Sequence, residues 1–83
     1  MPAVLRFGGL RVVVYPNDHR PAHVHVIGSG HEAVFELNGP DRAAALRENY
    51  GFSRRELRLI ERALLQNLAM LLAEWEAIHG TED

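Results

Sequence analysis

The hydrophobic period of this chain changes once, near residue 38, and that change decides its fold class. Before it, apolar and polar residues alternate, most clearly through Glu32-Ala33-Val34-Phe35-Glu36-Leu37. After Asn38-Gly39-Pro40 the apolar residues recur near every 3.6 positions. A period of two sends successive side chains to opposite faces of a strand, whereas 3.6 gathers them into one stripe on a helix. Strands followed by helices predict an α+β protein.

Turn residues subdivide the first half. Residues 3–7 and 10–15 flank Gly8-Gly9, and residues 23–27 and 32–37 flank Gly28-Ser29-Gly30, each pattern that of a hairpin. Residues 16–22 form a loop with proline at both ends of its polar centre. The expectation is a four-stranded antiparallel sheet of two hairpins. In the second half Asp41 is placed to cap a short helix running to about Tyr50, with Gly51 as its stop. Phe52-Ser53-Arg54-Arg55-Glu56-Leu57 then supplies an N-cap serine, a capping-box glutamate and a hydrophobic staple between Phe52 and Leu57. From Ser53 one long amphipathic helix is expected to run to about His79, with Gly80 ending it and the helices packed on one face of the sheet. Its apolar stripe is Leu57, Ile60, Leu64, Leu68, Leu71, Trp75 and Ile78.

Eighty-three residues suit one domain: hairpins over 1–38, a loop and short helix over 39–52, and the long helix over 53–79. A straight helix of that length spans about 39 Å, against a radius of gyration near 12 Å for a compact chain of this size, so its last turns are expected to project. Leu59, Ala63, Met70 and Ala77 form a second face suited to the short helix or to another subunit, which leaves a homodimer open. No cysteine is present to make a disulfide or a thiolate metal site. The apolar runs are too short to cross a bilayer and the N-terminus lacks the order of a secretory signal, so the expectation is a cytoplasmic protein without membrane contact.

Chemistry concentrates in Asn17-Asp18-His19-Arg20-Pro21-Ala22-His23-Val24-His25, where three of the five histidines fall within seven residues. His23 and His25 are two apart on a strand and share a face. If Leu5, Phe7, Leu10, Val12, Val14, Val24, Val26, Phe35 and Leu37 face the helices, then Arg6, Arg11, Tyr15, His23, His25, Glu32 and Glu36 face away from them. Such a face is either ordinary solvated surface or a site, since imidazoles, guanidinium groups and a phenol can transfer protons and hold phosphate. The catalytic candidates are His23, His25, His19, Asp18, Arg11 and Tyr15. No cofactor is required by this reading; the alternative is a divalent metal on His19, His23, His25 and Asp18, a spacing that permits a metal without being diagnostic of one.

The net charge of −2 argues against a protein that coats nucleic acid, but the charge is unevenly spread. All nine basic residues are arginines within 1–62, while 63–83 carry four acids and no base. Arg54, Arg58 and Arg62 recur at every fourth residue, and Arg54 and Arg55 occupy the positive end of the helix dipole, where a cation is disfavoured by roughly 0.3–1 kcal/mol. An anion docked there would relieve both repulsions; acids such as Glu48, Glu56 and Glu61 neutralising the row are the simpler account. Together with Arg6, these arginines are the anion-binding candidates.

Three blocks carry a family resemblance: Pro2-Ala3-Val4-Leu5-Arg6, Asn17 through Val26, and Glu48-Asn49-Tyr50-Gly51-Phe52-Ser53-Arg54-Arg55-Glu56-Leu57. Together they resemble a family of small bacterial proteins known as domain of unknown function 4160, in which a second proline often stands where this chain has Ala22. The family has no established activity to transfer. The resemblance implies a two-gene module of toxin-antitoxin type, with a small cognate protein as partner. Three functions follow as expectations: an RNA-cleaving or phosphate-binding toxin, a non-enzymatic module binding RNA, DNA or a partner protein, and a metal-dependent hydrolase.

Overall fold

The computed structural model describes residues 3–37 and 44–79. Strands β1 (Ala3–Phe7), β2 (Leu10–Val13), β3 (His23–Gly28), β4 (His31–Glu36) and β5 (Ala45–Tyr50) form one antiparallel sheet in the order β1-β2-β3-β4-β5. Helices α1 (Arg54–Gln66) and α2 (Leu68–His79) follow. The α+β class and both hairpins are as expected. In the first hairpin Gly8 and Gly9 take φ of +54° and +81°, the two left-handed residues of a turn whose twist matches that of the flanking strands.

The expected short helix is instead a fifth strand. Its cap, Asp41, lies outside the described residues, as do Gly39, Pro40 and Gly80, but Ala45–Tyr50 pairs with β4 from Glu36↔Ala45 to Glu32↔Tyr50. Ala, Leu, Arg and Glu favour a helix by only a few tenths of a kcal/mol per residue. Without β5, the backbone donors and acceptors along one edge of β4 would lack ladder partners, and pairing outweighs that local preference.

The single long helix is also corrected, because it breaks at Asn67. The Asn67 side chain donates to the Ala63 carbonyl at 2.8 Å, and its backbone N–H reaches back to Leu64 O at 3.1 Å. A side chain that bonds the preceding turn competes with continued winding. α2 then restarts with Leu71 N–H donating to Asn67 O. The start of α1 is as read: Ser53 is the N-cap and exchanges bonds with Glu56, Ser53 N–H to Glu56 Oε1 at 2.8 Å and Glu56 N–H to Ser53 Oγ at 3.1 Å.

On either side of the break the two helices contribute to one core. Ile60 and Leu64 from α1 and Leu71 and Trp75 from α2 are buried against Val12, Val14, Val24, Val26, Ala33 and Phe35, with Leu57, Leu68 and Ile78 packed on the margin. The radius of gyration is 11.9 Å and the longest extent 37 Å. With the short helix gone, the second helical face has no partner on the described chain at Leu59, which is 55% exposed. Among the described residues, no helix is long and apolar enough to cross a membrane.

Candidate functional site

Pro16 starts the loop that builds the site. Asp18 N–H donates to Tyr15 O at 3.1 Å, closing a turn with Pro16 at its second position, where the fixed φ of proline is suited. Tyr15 N–H lies 3.4 Å from Asp18 Oδ2, and the carboxylate is thereby turned toward the start of β3. Arg20 ties the far end of the loop to α2 through two 3.3 Å contacts with the Glu76 carboxylate, a fork-to-fork pair. The Arg20–Pro21 peptide is cis.

Strand pairing brings the remaining groups. His23 sits opposite Glu36, His25 opposite Val34, and Ile27 opposite Glu32, so His25 and Glu32 are diagonal neighbours on one face. His23 Nε2 and His25 Nε2 each lie 3.2 Å from Asp18 Oδ2. His25 Nδ1 is 3.0 Å from Glu32 Oε2, and His23 Nδ1 is 2.9 Å from the Pro21 carbonyl. The Tyr15 ring meets His25 edge-on at 4.6 Å. Of the two readings of this face, His23 does not fit plain solvated surface: it is 7% exposed, and its ring lies 5.2 Å from that of Trp75 in the core.

Carbonyl and carboxylate oxygens only accept, so a proton on Nδ1 satisfies Pro21 and Glu32, and by the same rule a proton on Nε2 would satisfy Asp18. An imidazole protonated on Nδ1 alone presents its Nε2 lone pair to Asp18, whereas an imidazolium donates to it. Two nitrogens and one carboxylate oxygen, all electron-pair donors, thus converge on the floor of a cleft of about 290 Å³ lined by Asn17, Asp18, His19, Arg20, His23, His25, Val34, Arg47 and Glu48. A second cleft of about 750 Å³ adjoins it on the other side of the loop, between Pro16–Arg20 and His79.

Arg47 reaches the cleft because β5 is bulged. Val34 pairs with Glu48 while Phe35 pairs with Leu46, leaving Arg47 as the additional residue on β5. A bulge re-aims side chains, and here it sets Arg47 on the cleft side, 3.9 Å from Glu36 Oε2. Sequence reasoning missed Arg47 as a site residue because its segment reads as a helix; it placed Glu32 on the correct face but gave it no role, although its register with His25 was the available signal.

Of the predicted catalytic residues, Asp18, His23 and His25 come together, Tyr15 packs beside them, and His19 stands exposed on the cleft rim outside the converging set. Arg11 pairs with Arg6 across the first hairpin, and neither lines the cleft. Arg54, Arg55, Arg58 and Arg62 are exposed on α1, also away from the cleft, with no ion pair among the described residues. Glu56 on the same helix has its carboxyl pKa lowered by the bonds it receives from Ser53. At the end of β5, Tyr50 donates to Glu48 at 3.0 Å, and that bond raises its phenol pKa.

Fold and site together define a small α+β protein whose five-stranded sheet is covered by helices on one face and carries a two-histidine, one-carboxylate cleft on the other. A family model described as Domain of unknown function (DUF4160) matches residues 9–76, most of the chain, and the chain belongs to that family. The matched span takes in Asp18, His23, His25, Glu32 and Arg47 and leaves out Arg6 and His79. No curated protein and no solved structure matches the chain.

Proposed function

We propose that this chain is a small phosphodiesterase of the cytoplasm that cleaves single-stranded RNA, acting as the toxin of a toxin-antitoxin pair. The observation that carries the reading is the convergence of His23 Nε2, His25 Nε2 and Asp18 Oδ2 on the floor of an open cleft, with Arg47 and His19 at its edge. Cleavage of RNA needs a centre that takes the proton of the attacking 2′-hydroxyl, a cation on the non-bridging phosphate oxygens, and a donor for the departing 5′ oxygen. In this reading the Asp18-His23-His25 centre takes the proton and Arg47 holds the phosphate. His19 returns a proton to the 5′ oxygen as the P–O5′ bond breaks, leaving a 2′,3′-cyclic phosphate. An open cleft admits a polymer strand where an enclosed chamber would not.

The test is incubation of the purified, tag-free chain with end-labelled single-stranded RNA, with and without added Mn²⁺ or Zn²⁺. Cleavage that disappears in His25→Ala is the expected result. Intact RNA under every condition, or equal cleavage by the variant, overturns the proposal.

A second reading, binding of nucleic acid or a cognate partner protein without catalysis, draws on α1. There Arg54, Arg58 and Arg62 share exposure with Leu59 and Leu65, a surface separate from the cleft. Binding by this surface would weaken with added salt and be lost on replacing the three arginines, with His25→Ala leaving it intact.

A further inference from the structure

We infer that Asp18, His23 and His25 are the ligands of a first-row divalent metal ion of the Zn²⁺ or Mn²⁺ kind. The inference deepens the reading of this cluster as the working centre and rests on that reading for its chemistry, while the binding itself is argued from geometry.

The first argument is orientation. Pro21 O holds His23 at Nδ1 and Glu32 holds His25 at Nδ1, so both Nε2 atoms are turned to the Asp18 carboxylate. A cation belongs between these three atoms, either a proton on each Nε2 or one metal ion, and the metal is the single charge that serves all three. Metal-binding histidines characteristically donate their other ring N–H to a carboxylate or a backbone carbonyl, which fixes the ring and raises its basicity. This chain supplies one of each.

The second argument is distance. At bonds of about 2.1 Å, neighbouring ligand atoms stand about 3.0 Å apart in an octahedron and about 3.4 Å apart in a tetrahedron. Both Nε2–Oδ2 separations are 3.2 Å, between the two values, and all three donor atoms lie within 4.8 Å of one another. The third argument is the surroundings. Trp75 lies against His23 and Tyr15 against His25, and both histidines line the cleft, which leaves positions for water or a phosphate oxygen. Two nitrogens and one carboxylate with open positions suit a metal that activates water or polarises a phosphoryl group.

Isothermal titration of the tag-free chain with Zn²⁺ and with Mn²⁺ tests the site, supported by the visible spectrum of Co²⁺ bound in its place. One ion per chain is expected. Asp18→Asn and Glu32→Gln preserve side-chain shape, and circular dichroism reports their folding. Each is expected to weaken binding by about 10- to 100-fold, while His31→Ala, outside the cluster, leaves affinity unchanged. Binding below a tenth of an equivalent, or equal affinity in Glu32→Gln and the natural chain, overturns the inference. If Asp18→Asn fails to fold, the half-exposed Glu32→Gln decides alone. The two proposals fail separately. An ion bound without RNA cleavage supports the metal site and removes the phosphodiesterase, whereas histidine-dependent cleavage that persists in excess chelator, by a chain that binds no ion, overturns only the metal.

Discussion

His25 stands between two carboxylates, Asp18 at its Nε2 and Glu32 at its Nδ1, and each contact was written into a different part of the chain. Its relation to Glu32 follows from strand register, and alternation alone placed both on the same face. Its relation to Asp18 depends on how a seven-residue loop folds back, which the residue types permit without specifying. Arg47 lines the cleft and, among the described residues, is held by one weak contact, at 3.9 Å to Glu36. An exposed pair of this kind contributes about 0.2–1 kcal/mol at most. Arg47→Ala is therefore expected to leave the denaturation midpoint almost unchanged while raising KM for RNA about tenfold, a split that steady-state kinetics beside a urea titration would show. Equal loss of stability and activity would make Arg47 a structural residue instead.

At the level of elements, the best local signal and the worst reading lie side by side. Ser53 and Glu56 specify the start of α1 through bonds that close within four residues, so the sequence pattern was sufficient. Ser53→Ala should cost about 1 kcal/mol, measured by urea denaturation. The Glu56 carboxyl is held below its ordinary value of 4.5 in the folded chain by the Ser53 bonds. A depressed folded pKa stabilises above the unfolded value and loses that contribution as pH falls through the folded one. The stability difference between the natural chain and Glu56→Gln should accordingly be full above about pH 5 and shrink as the solution is acidified below 4.5; a difference independent of pH would remove the linkage. β5 was unreadable for the opposite reason, because Ala45–Tyr50 has helix-forming composition and becomes a strand only through its pairing with β4.

For the whole molecule, the question is what the chain does when it acts alone. Helices cover one sheet face, and the other carries the cleft, so the site is reachable without moving any element. Expression in a bacterial host without a partner gene should arrest growth, and His23→Ala with His25→Ala at matched soluble level should restore it. Normal growth in both cultures would remove the toxin and move the α1 binding surface ahead of the cleft.

The sequence by itself determined the α+β class, both hairpins, the inward set from Val12 to Leu37, the helix start at Ser53 and the family, because each rests on periodicity or on contacts between near neighbours in the chain. Tertiary structure alone decided the rest. β5 formed where an open sheet edge required a partner, and the bulge at Arg47 placed a cation beside the cleft. The convergence of Asp18 with His23 and His25 belongs with these. Each depends on groups meeting across space, where local preferences of a few tenths of a kcal/mol per residue yield to backbone pairing and burial.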